Sequence, residues 1–374
     1  MRSFRDTYKF LRKLSWLSVW LKGPELRGFR DRDFVETPEG FLFCVVGCAH
    51  PEDRVIAYLK YVPSESGKWG DLNRRFSRTL KAYTIPDLRK TIDFIGEKYP
   101  QYLYYSDVFS TWMTAVPKDR IVRHYIPEQR LRDVIRNPKN VLERRLEELT
   151  KMLVDSGVEL DFLGVTGSIL LGIHQPFSDI DLTVYGMKNS KHARQFLEEA
   201  IKKRKNGLNS FQGSLLKNWI KSKVEKHPIT ADDARRILSR KWNMGVFKGV
   251  RFSIHPVRLE HEAEPYGARL YRPRGEITIR ATVSDASESM FLPAIYKIRD
   301  VEVIEGPKVE DLVEACSYES LYDSLAEEGE RIQVRGRLEL VIDRREKREY
   351  YRVLVGSLEG GGKEYIKPLP KAGL

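Results

Sequence analysis

Apolar and polar positions alternate differently along the chain and divide it into three stretches. In the first stretch, apolar runs at 41–47 and 54–62 predict a β-hairpin, because both are rich in β-branched and aromatic residues and a polar turn separates them. An amphipathic pattern over 86–99 predicts a helix. We therefore expect an N-terminal α+β domain over residues 1–140, which begins with a basic helix at 7–22.

The middle stretch, residues 141–268, alternates between strand and helix patterns. Strands are predicted over 162–168, 178–186 and 249–258. Helices are predicted over 190–205, 208–223 and 231–240. The last helix opens with a capping box from Thr230 to Asp233. This alternation predicts a domain in which helices cover a mixed sheet.

From about residue 270 the pattern becomes β-rich and alternating. Four or five strands, with a short helical insertion over 309–328, predict a small barrel of OB type. We expect a C-terminal barrel-like domain over residues 269–374. The fold class predicted for the whole chain is therefore multidomain α+β.

Composition narrows the class of protein. Of 374 residues, 41% are hydrophobic and 32% are charged, and three are cysteines. No run of about 18 apolar residues occurs, so we expect no transmembrane helix. The few cysteines argue against a secreted disulfide scaffold. The chain has only 6 Gln and 8 Asn, which is typical of thermophilic proteins. We expect a cytoplasmic protein of a thermophile.

The net charge of +12 is unevenly distributed. Residues 201–250 hold 13 basic and 3 acidic side chains, whereas residues 151–200 hold 4 and 7. An acidic site that binds a cation, beside a basic surface that binds RNA or DNA phosphates, would give this distribution. A lysine-rich helix exposed to solvent would give the same basic count.

Two aspartates carry the candidate chemistry. Asp179 and Asp181 flank Ile180 on a predicted strand, so both carboxylates lie on one face and repel each other unless a cation lies between them. Carboxylates completed by substrate phosphates suit Mg²⁺ or Mn²⁺. Upstream, Gly167 lets the backbone approach a phosphate and Ser168 adds a hydroxyl. Together these features favour metal-assisted phosphoryl transfer.

This spacing resembles a known signature. A Gly-Ser turn, ten intervening residues and then Asp-Ile-Asp-Leu at 179–182 are similar to the motif of the polymerase-β-type nucleotidyltransferase superfamily. The chain as a whole is similar to an archaeal group of predicted nucleotidyltransferases. The resemblance implies a nucleotidyltransferase-type mixed sheet, in which the Gly-Ser turn binds the nucleotide and the two aspartates are catalytic and bind the metal. Ser178 is a further candidate nucleotide-binding residue.

The chain departs from that superfamily at one position. Members usually carry a third carboxylate on a later strand, but the outward positions of the strand at 249–258 hold Arg251, Ser253 and His255. His255 is a candidate catalytic base or metal ligand, and an ordinary structural histidine is an equal alternative. Ile169 also replaces an arginine that is common after the Gly-Ser turn.

The basic region supplies the candidate nucleic-acid-binding residues. They are Lys217, Lys221, Arg240, Lys241 and Arg251.

Three functions compete at this point. The first is a Mg²⁺-dependent enzyme that transfers a nucleotidyl group from an NTP to an acceptor, with RNA favoured. The second is a nucleic-acid-binding protein whose transferase domain has lost catalysis. The third, a toxin-like enzyme that adenylylates proteins, is disfavoured by the long flanking domains.

Overall fold

The computed structural model describes residues 27–80 and 84–370. The helix expected at 7–22 lies outside these residues. Three β-sheets with packed helices confirm the multidomain α+β class. Within the described residues, no helix is long and apolar enough to cross a membrane.

The first sheet has eight strands and comes from the N-terminal stretch. The strands are β1 (Phe34–Glu36), β2 (Leu42–Val45), β3 (Arg54–Pro63), β4 (Trp69–Gly70), β5 (Arg75–Arg78), β6 (Leu103–Ser106), β7 (Thr111–Pro117) and β8 (Arg123–Tyr125). Their order is β4-β5-β3-β2-β1-β8, with β7 paired to β3 and β6 paired to β7. The antiparallel pair β2–β3 confirms the predicted hairpin.

The two faces of this sheet have different partners. Helix α1 (Ile85–Lys98) covers one face, and Ile95 packs there with Phe43 and Leu59. The helix begins where the side chain of Thr84 accepts a hydrogen bond from the N–H of Asp87. The opposite face packs on the middle of the chain.

The second sheet comes from the middle stretch and confirms its three predicted strands. Its strands are β9 (Leu163–Val165), β10 (Ile180–Tyr185), β11 (Leu208–Asn209), β12 (Met244–Phe247) and β13 (Val250–Val257). Their order is β11-β12-β13-β10-β9. Strand β10 runs antiparallel to β9 and parallel to β13.

Four helices described by the structure accompany this sheet. They are α2 (Pro127–Arg136), α3 (Val141–Asp155), α4 (Gly167–Leu170) and α5 (Met187–Lys202). Leu131, Leu149 and Leu197 bring α2, α3 and α5 into one core with Ile180 and Leu182. The helix predicted over 190–205 is confirmed as α5, three residues nearer the N-terminus.

The third sheet closes on itself, which confirms the barrel-like expectation. Its strands are β14 (Arg269–Asp285), β15 (Ala294–Glu305), β16 (Leu312–Ser317), β17 (Arg331–Asp343), β18 (Arg348–Val355) and β19 (Tyr365–Pro368). The order is β14-β15-β16-β18-β17-β19, and β14 also pairs with β17. Strands β16 and β18 are parallel. The prediction of a helical insertion over 309–328 is wrong. Residues 312–317 form a strand there, because they pair with β15 and β18.

The helices of the basic region pack on the barrel. They are α6 (Gly213–Lys226) and α7 (Ala231–Arg240), and the predicted capping box between Thr230 and Asp233 is present at the start of α7. Ile220 and Ile237 join the barrel core beside Ile279. In the other direction, Met290 and Phe291, from the loop between β14 and β15, are buried in the core of the second sheet. The two regions therefore exchange packing elements.

Short 3₁₀ helices complete the described secondary structure. They are Pro100–Tyr102, Lys118–Arg120, Leu160–Phe162, Lys205–Gly207 and Glu260–Glu262.

Candidate functional site

The two aspartates of the motif lie at the start of β10. Ile180 and Leu182 are fully buried in the core below the sheet. The side chains of Asp179 and Asp181 are 41% and 31% exposed. Both carboxylates therefore occupy the open side of the strand, as the period-two argument predicts.

Strand β13 places three polar side chains beside these carboxylates. Arg251 Nε donates a hydrogen bond of 2.9 Å to Asp179 Oδ1. In the parallel register Ser253 lies opposite Asp181, and its hydroxyl donates a 2.5 Å hydrogen bond to Asp181 Oδ1. The hydroxyl is also 2.9 Å from His255 Nε2. The structure thus brings together all three outward residues of β13, but each contacts the site differently.

The pKa values of the two carboxyl groups are shifted in opposite directions. Burial and the neighbouring Asp181 raise the pKa of Asp179, and Arg251 offsets this only in part. Burial would also raise the pKa of Asp181, but the nearby imidazole of His255, the charge of Lys60 and the Ser253 hydroxyl outweigh it and hold the pKa well below its usual range.

Burial and the charge of Arg32 lower the pKa of His255. At neutral pH we therefore expect a neutral His255 beside an ionised Asp181. The neutral imidazole carries its hydrogen on Nε2, because the Ser253 hydroxyl beside it already donates to Asp181 and can only accept a second hydrogen bond.

The Gly-Ser turn lies directly against the carboxylate pair. Gly167 has φ +66°, and a Cβ atom on it would lie 2.7 Å from Asp181 Oδ2. The Thr166 N–H also donates to the Asp181 carbonyl at 2.9 Å. A residue other than glycine would have to adopt a left-handed conformation and displace the carboxylate. Ser168 follows the turn and is buried.

Ser178 has a structural contact within the loop before β10. Its hydroxyl accepts a 3.0 Å hydrogen bond from the Gln175 N–H, and the residue is buried. This contact orders the loop that ends at Asp179.

The first sheet contributes cations that the sequence did not reveal. Lys60 lies close enough to Asp181 to lower its pKa, and Arg78 acts on Asp179 in the same way. The Thr166 hydroxyl donates 2.7 Å to the Arg32 carbonyl, which fixes the first sheet to the turn. Only contacts between distant parts of the chain reveal these residues, since no local motif contains them.

A divalent metal fits this site only with help from its substrate. Among residues 27–80 and 84–370, no group of three or more His, Cys, Asp and Glu side chains is placed to hold a metal ion. Asp179 and Asp181 supply two hard oxygen ligands, and Mg²⁺ commonly binds one or two carboxylates together with substrate phosphates. The donor set therefore fits a metal that arrives with phosphates.

The structure separates the candidate nucleic-acid-binding residues. Lys217 and Lys221 are exposed on α6. Arg251, in contrast, pairs with Asp179 inside the candidate site.

The assignment of two further cations to the nucleic-acid surface needs correction. Lys241 is buried, and its ammonium group donates to Asp323 Oδ1 at 2.6 Å and to the carbonyls of Ser320 and Asp323 at 2.8 Å each. Arg240 forms an ion pair with Glu330 and donates to the Leu325 carbonyl. Both side chains join α7 to the barrel, because a cation in such surroundings is held by protein oxygens. These two side chains therefore have a structural role and are not part of a nucleic-acid-binding surface.

Similarity to a known protein extends over most of the chain. The sequence is 33% identical over 343 residues to the uncharacterized protein MJ1086 of Methanocaldococcus jannaschii. This chain belongs to the same family as MJ1086. The match covers 90% of this chain and 98% of MJ1086, so it includes parts of all three sheets. No family model matches the chain, and no solved structure matches it.

Proposed function

We propose that this protein is a metal-dependent nucleotidyltransferase that moves a nucleotidyl group from an NTP to an acceptor, with RNA as the acceptor class. The observation that carries the proposal is the pair of carboxylates on the open side of β10 with the Gly167 turn against Asp181. The pairing of β13 with β10 also supports the proposal. Members of the superfamily carry their third carboxylate on a strand in this position, although this chain has none there.

Each site residue has a role in this proposal. Asp179 and Asp181 would hold Mg²⁺ or Mn²⁺, which would neutralise charge on the phosphates of the nucleotide. His255 lies within hydrogen-bond distance of Ser253, which contacts Asp181. Because the Ser253 hydroxyl gives its one proton to Asp181, it accepts the Nε2–H of His255, so His255 would hold Ser253 and Asp181 in position for the metal.

RNA is favoured as the acceptor by two surfaces. The strand order of the barrel, with β16 parallel to β18 and β14 closing on β17, supports an OB-type barrel, a fold that commonly binds oligonucleotides. Lys217 and Lys221 present positive charge on α6, which packs on this barrel.

The test is transfer of label from each of the four NTPs to mixed cellular RNA with Mg²⁺. We expect Asp181→Asn to lower the transfer rate by at least about a hundredfold, since even groups that only support a metal ligand are worth about 10–100-fold. Asp161→Asn is the matched control, because Asp161 is an exposed aspartate that pairs with Arg132 outside the site. Equal transfer by both variants would remove the proposed role of Asp181.

A second function rests on the contact between Arg251 and Asp179. The Arg251 guanidinium lies 2.8 Å from Asp179 Oδ1, so it would compete with a metal for this oxygen, and β13 carries no carboxylate. These features favour a nucleic-acid-binding protein with an inactive transferase domain. Salt-dependent RNA binding without transfer from any NTP would support this function and exclude the first.

A further inference from the structure

One face of the first sheet lies directly on the segment between the Gly-Ser turn and the aspartates. Phe34, Leu42 and Tyr61 share a core with Leu170 and Ile173 of that segment. The contact is reinforced by the backbone, where the Gly70 N–H donates 2.9 Å to the Ile173 carbonyl. The N-terminal sheet therefore forms one side of the carboxylate site.

Two cations on this sheet lie near enough to the aspartates for their charges to interact. Tyr58 and Lys60 lie on the face of β3 that packs toward the middle of the chain, and Arg78 ends β5 as an exposed residue. Lys60 Nζ is 5.4 Å from the centre of the Phe34 ring, and Arg78 Cζ is 4.4 Å from that of Trp69. Aromatic surfaces of this kind hold cations in place.

An exposed aromatic residue completes the same edge. Phe177 is 60% exposed although it lies only two residues before Asp179. Its ring centre is 6.3 Å from that of Trp69. The Gln175 side chain donates 2.6 Å to the Gly70 carbonyl, so the loop that carries Phe177 is fastened to the first sheet. A large apolar side chain is thus held in solvent beside a charged site.

We propose that the N-terminal sheet forms the second side of a nucleotide site, in which Lys60 and Arg78 bind the phosphates of the nucleotide held by Asp179 and Asp181 and Phe177 stacks on its base. The proposal rests on the nucleotidyl-transfer function and names the part of the nucleotide that each residue contacts. A triphosphate carries more charge than one metal neutralises, so further cations are required on its other side. Base–aromatic stacking tolerates every base, because each has a π-face.

The experiment compares two probes on the full chain by calorimetry: ATP and inorganic tripolyphosphate, each with Mg²⁺. We expect Lys60→Gln and Arg78→Gln to weaken the binding of both probes by about tenfold or more, because each removes a charge-assisted contact to phosphate. Phe177→Ala should weaken ATP by about tenfold and leave tripolyphosphate unchanged, because only ATP has a base.

Matched controls come from exposed residues elsewhere on the chain. Lys151→Gln, Arg348→Gln and Phe94→Ala change the same residue types on α3, β18 and α1, and should leave both affinities unchanged. Arg78 is exposed, so its variant keeps the test valid even if Lys60→Gln disturbs the sheet.

The outcomes separate this proposal from the transferase proposal. If wild-type protein fails to bind tripolyphosphate, or if Lys60→Gln and Arg78→Gln bind both probes like wild type, the N-terminal phosphate contacts are excluded. Equal loss of ATP affinity in Phe177→Ala and Phe94→Ala excludes the stacking contact. Nucleotide binding that depends on Lys60 and Arg78, without transfer to any acceptor, supports this inference and excludes the transferase.

Discussion

A cluster in the barrel and the candidate site both bring carboxylates together with cations on neighbouring strands, and the two differ in access to solvent. In the barrel, Glu339 binds Arg352 at 2.7 Å and Arg337 at 2.5 Å, and the three side chains are 1%, 3% and 7% exposed. In the candidate site, Asp179 and Arg251 are 41% and 51% exposed. The three barrel side chains are buried, whereas the site is open on one side.

A structural ion cluster and a functional one differ in solvent access and in the surroundings of their carboxyl groups. Ion pairing occurs in both clusters, so pairing alone does not identify a site. The carboxyl groups of the candidate site have pKa values shifted in opposite directions, raised for Asp179 and lowered for Asp181. Neighbouring carboxyl groups whose pKa values are shifted and which remain accessible to solvent are typical of functional sites.

The largest expected effect concerns the barrel. Arg352→Met leaves Glu339 and Glu314 buried with one cation fewer, and we expect a loss of about 3–5 kcal/mol in the free energy of unfolding. Denaturant titration measures it. Arg348→Met is the control on the same strand, because the Arg348 side chain is 53% exposed and its pair with Glu346 should be worth less than about 1 kcal/mol. Equal losses would mean that the barrel cluster is not a buried structural unit.

An intermediate effect is expected at the Gly-Ser turn. Gly167→Ala and Gly172→Ala both place alanine at a positive φ, +66° and +70°, so each should lose about 1–2 kcal/mol of stability. Only the Gly167 variant brings its Cβ against Asp181, since Gly172 has open space there. We expect binding of the Mn²⁺–ATP complex, followed by electron paramagnetic resonance, to weaken by about tenfold in Gly167→Ala alone. Equal affinities for this complex in the two variants would show that the turn does not position the carboxylate.

The smallest expected effect is a change in stability that has opposite signs for substitutions of the two aspartates. The pKa of Asp179 is raised in the folded protein, so its ionised form costs stability at neutral pH, and Asp179→Asn should gain stability at pH 7. The pKa of Asp181 is lowered, so its contribution is present above about pH 4 and is lost as the pH falls further, and Asp181→Asn should lose stability at pH 7.

Thermal unfolding of metal-free protein at pH 7 and pH 3 measures both aspartate variants. We expect the Asp179→Asn change to be below about 1 kcal/mol, since this side chain is partly exposed. The two variants should converge as the pH falls. Changes of the same sign at pH 7 would contradict the electrostatic description of the site.

Local spacing was sufficient to predict the carboxylate pair and its turn. Asp179, Asp181 and Gly167 lie within 15 residues of one another, and strand periodicity fixes which side chains share a face. The outward residues of β13 were predicted by the same rule. These features depend on short segments, whose geometry the backbone determines.

Features that depend on distant packing were not predicted. Lys60 and Arg78 reach the site only because the first sheet packs on the segment after Gly167, more than 80 residues later in the chain. The assignment of Lys241 to the nucleic-acid surface was wrong for the same reason. A count of charges cannot show that the ammonium group pairs with Asp323 of a later segment. Local patterns contain no information on such partners.

The exchange of packing between the middle region and the barrel has a consequence for synthesis on the ribosome. Met290 and Phe291 belong to the core around Ile180, yet they are translated more than 100 residues after it. The nascent middle region therefore leaves the exit tunnel with an incomplete core, and it can reach its final packing only after the first barrel strand and the following loop have emerged. Translation pauses placed before residue 291 would prolong the exposure of apolar surface, and the two regions should fold cooperatively rather than in succession.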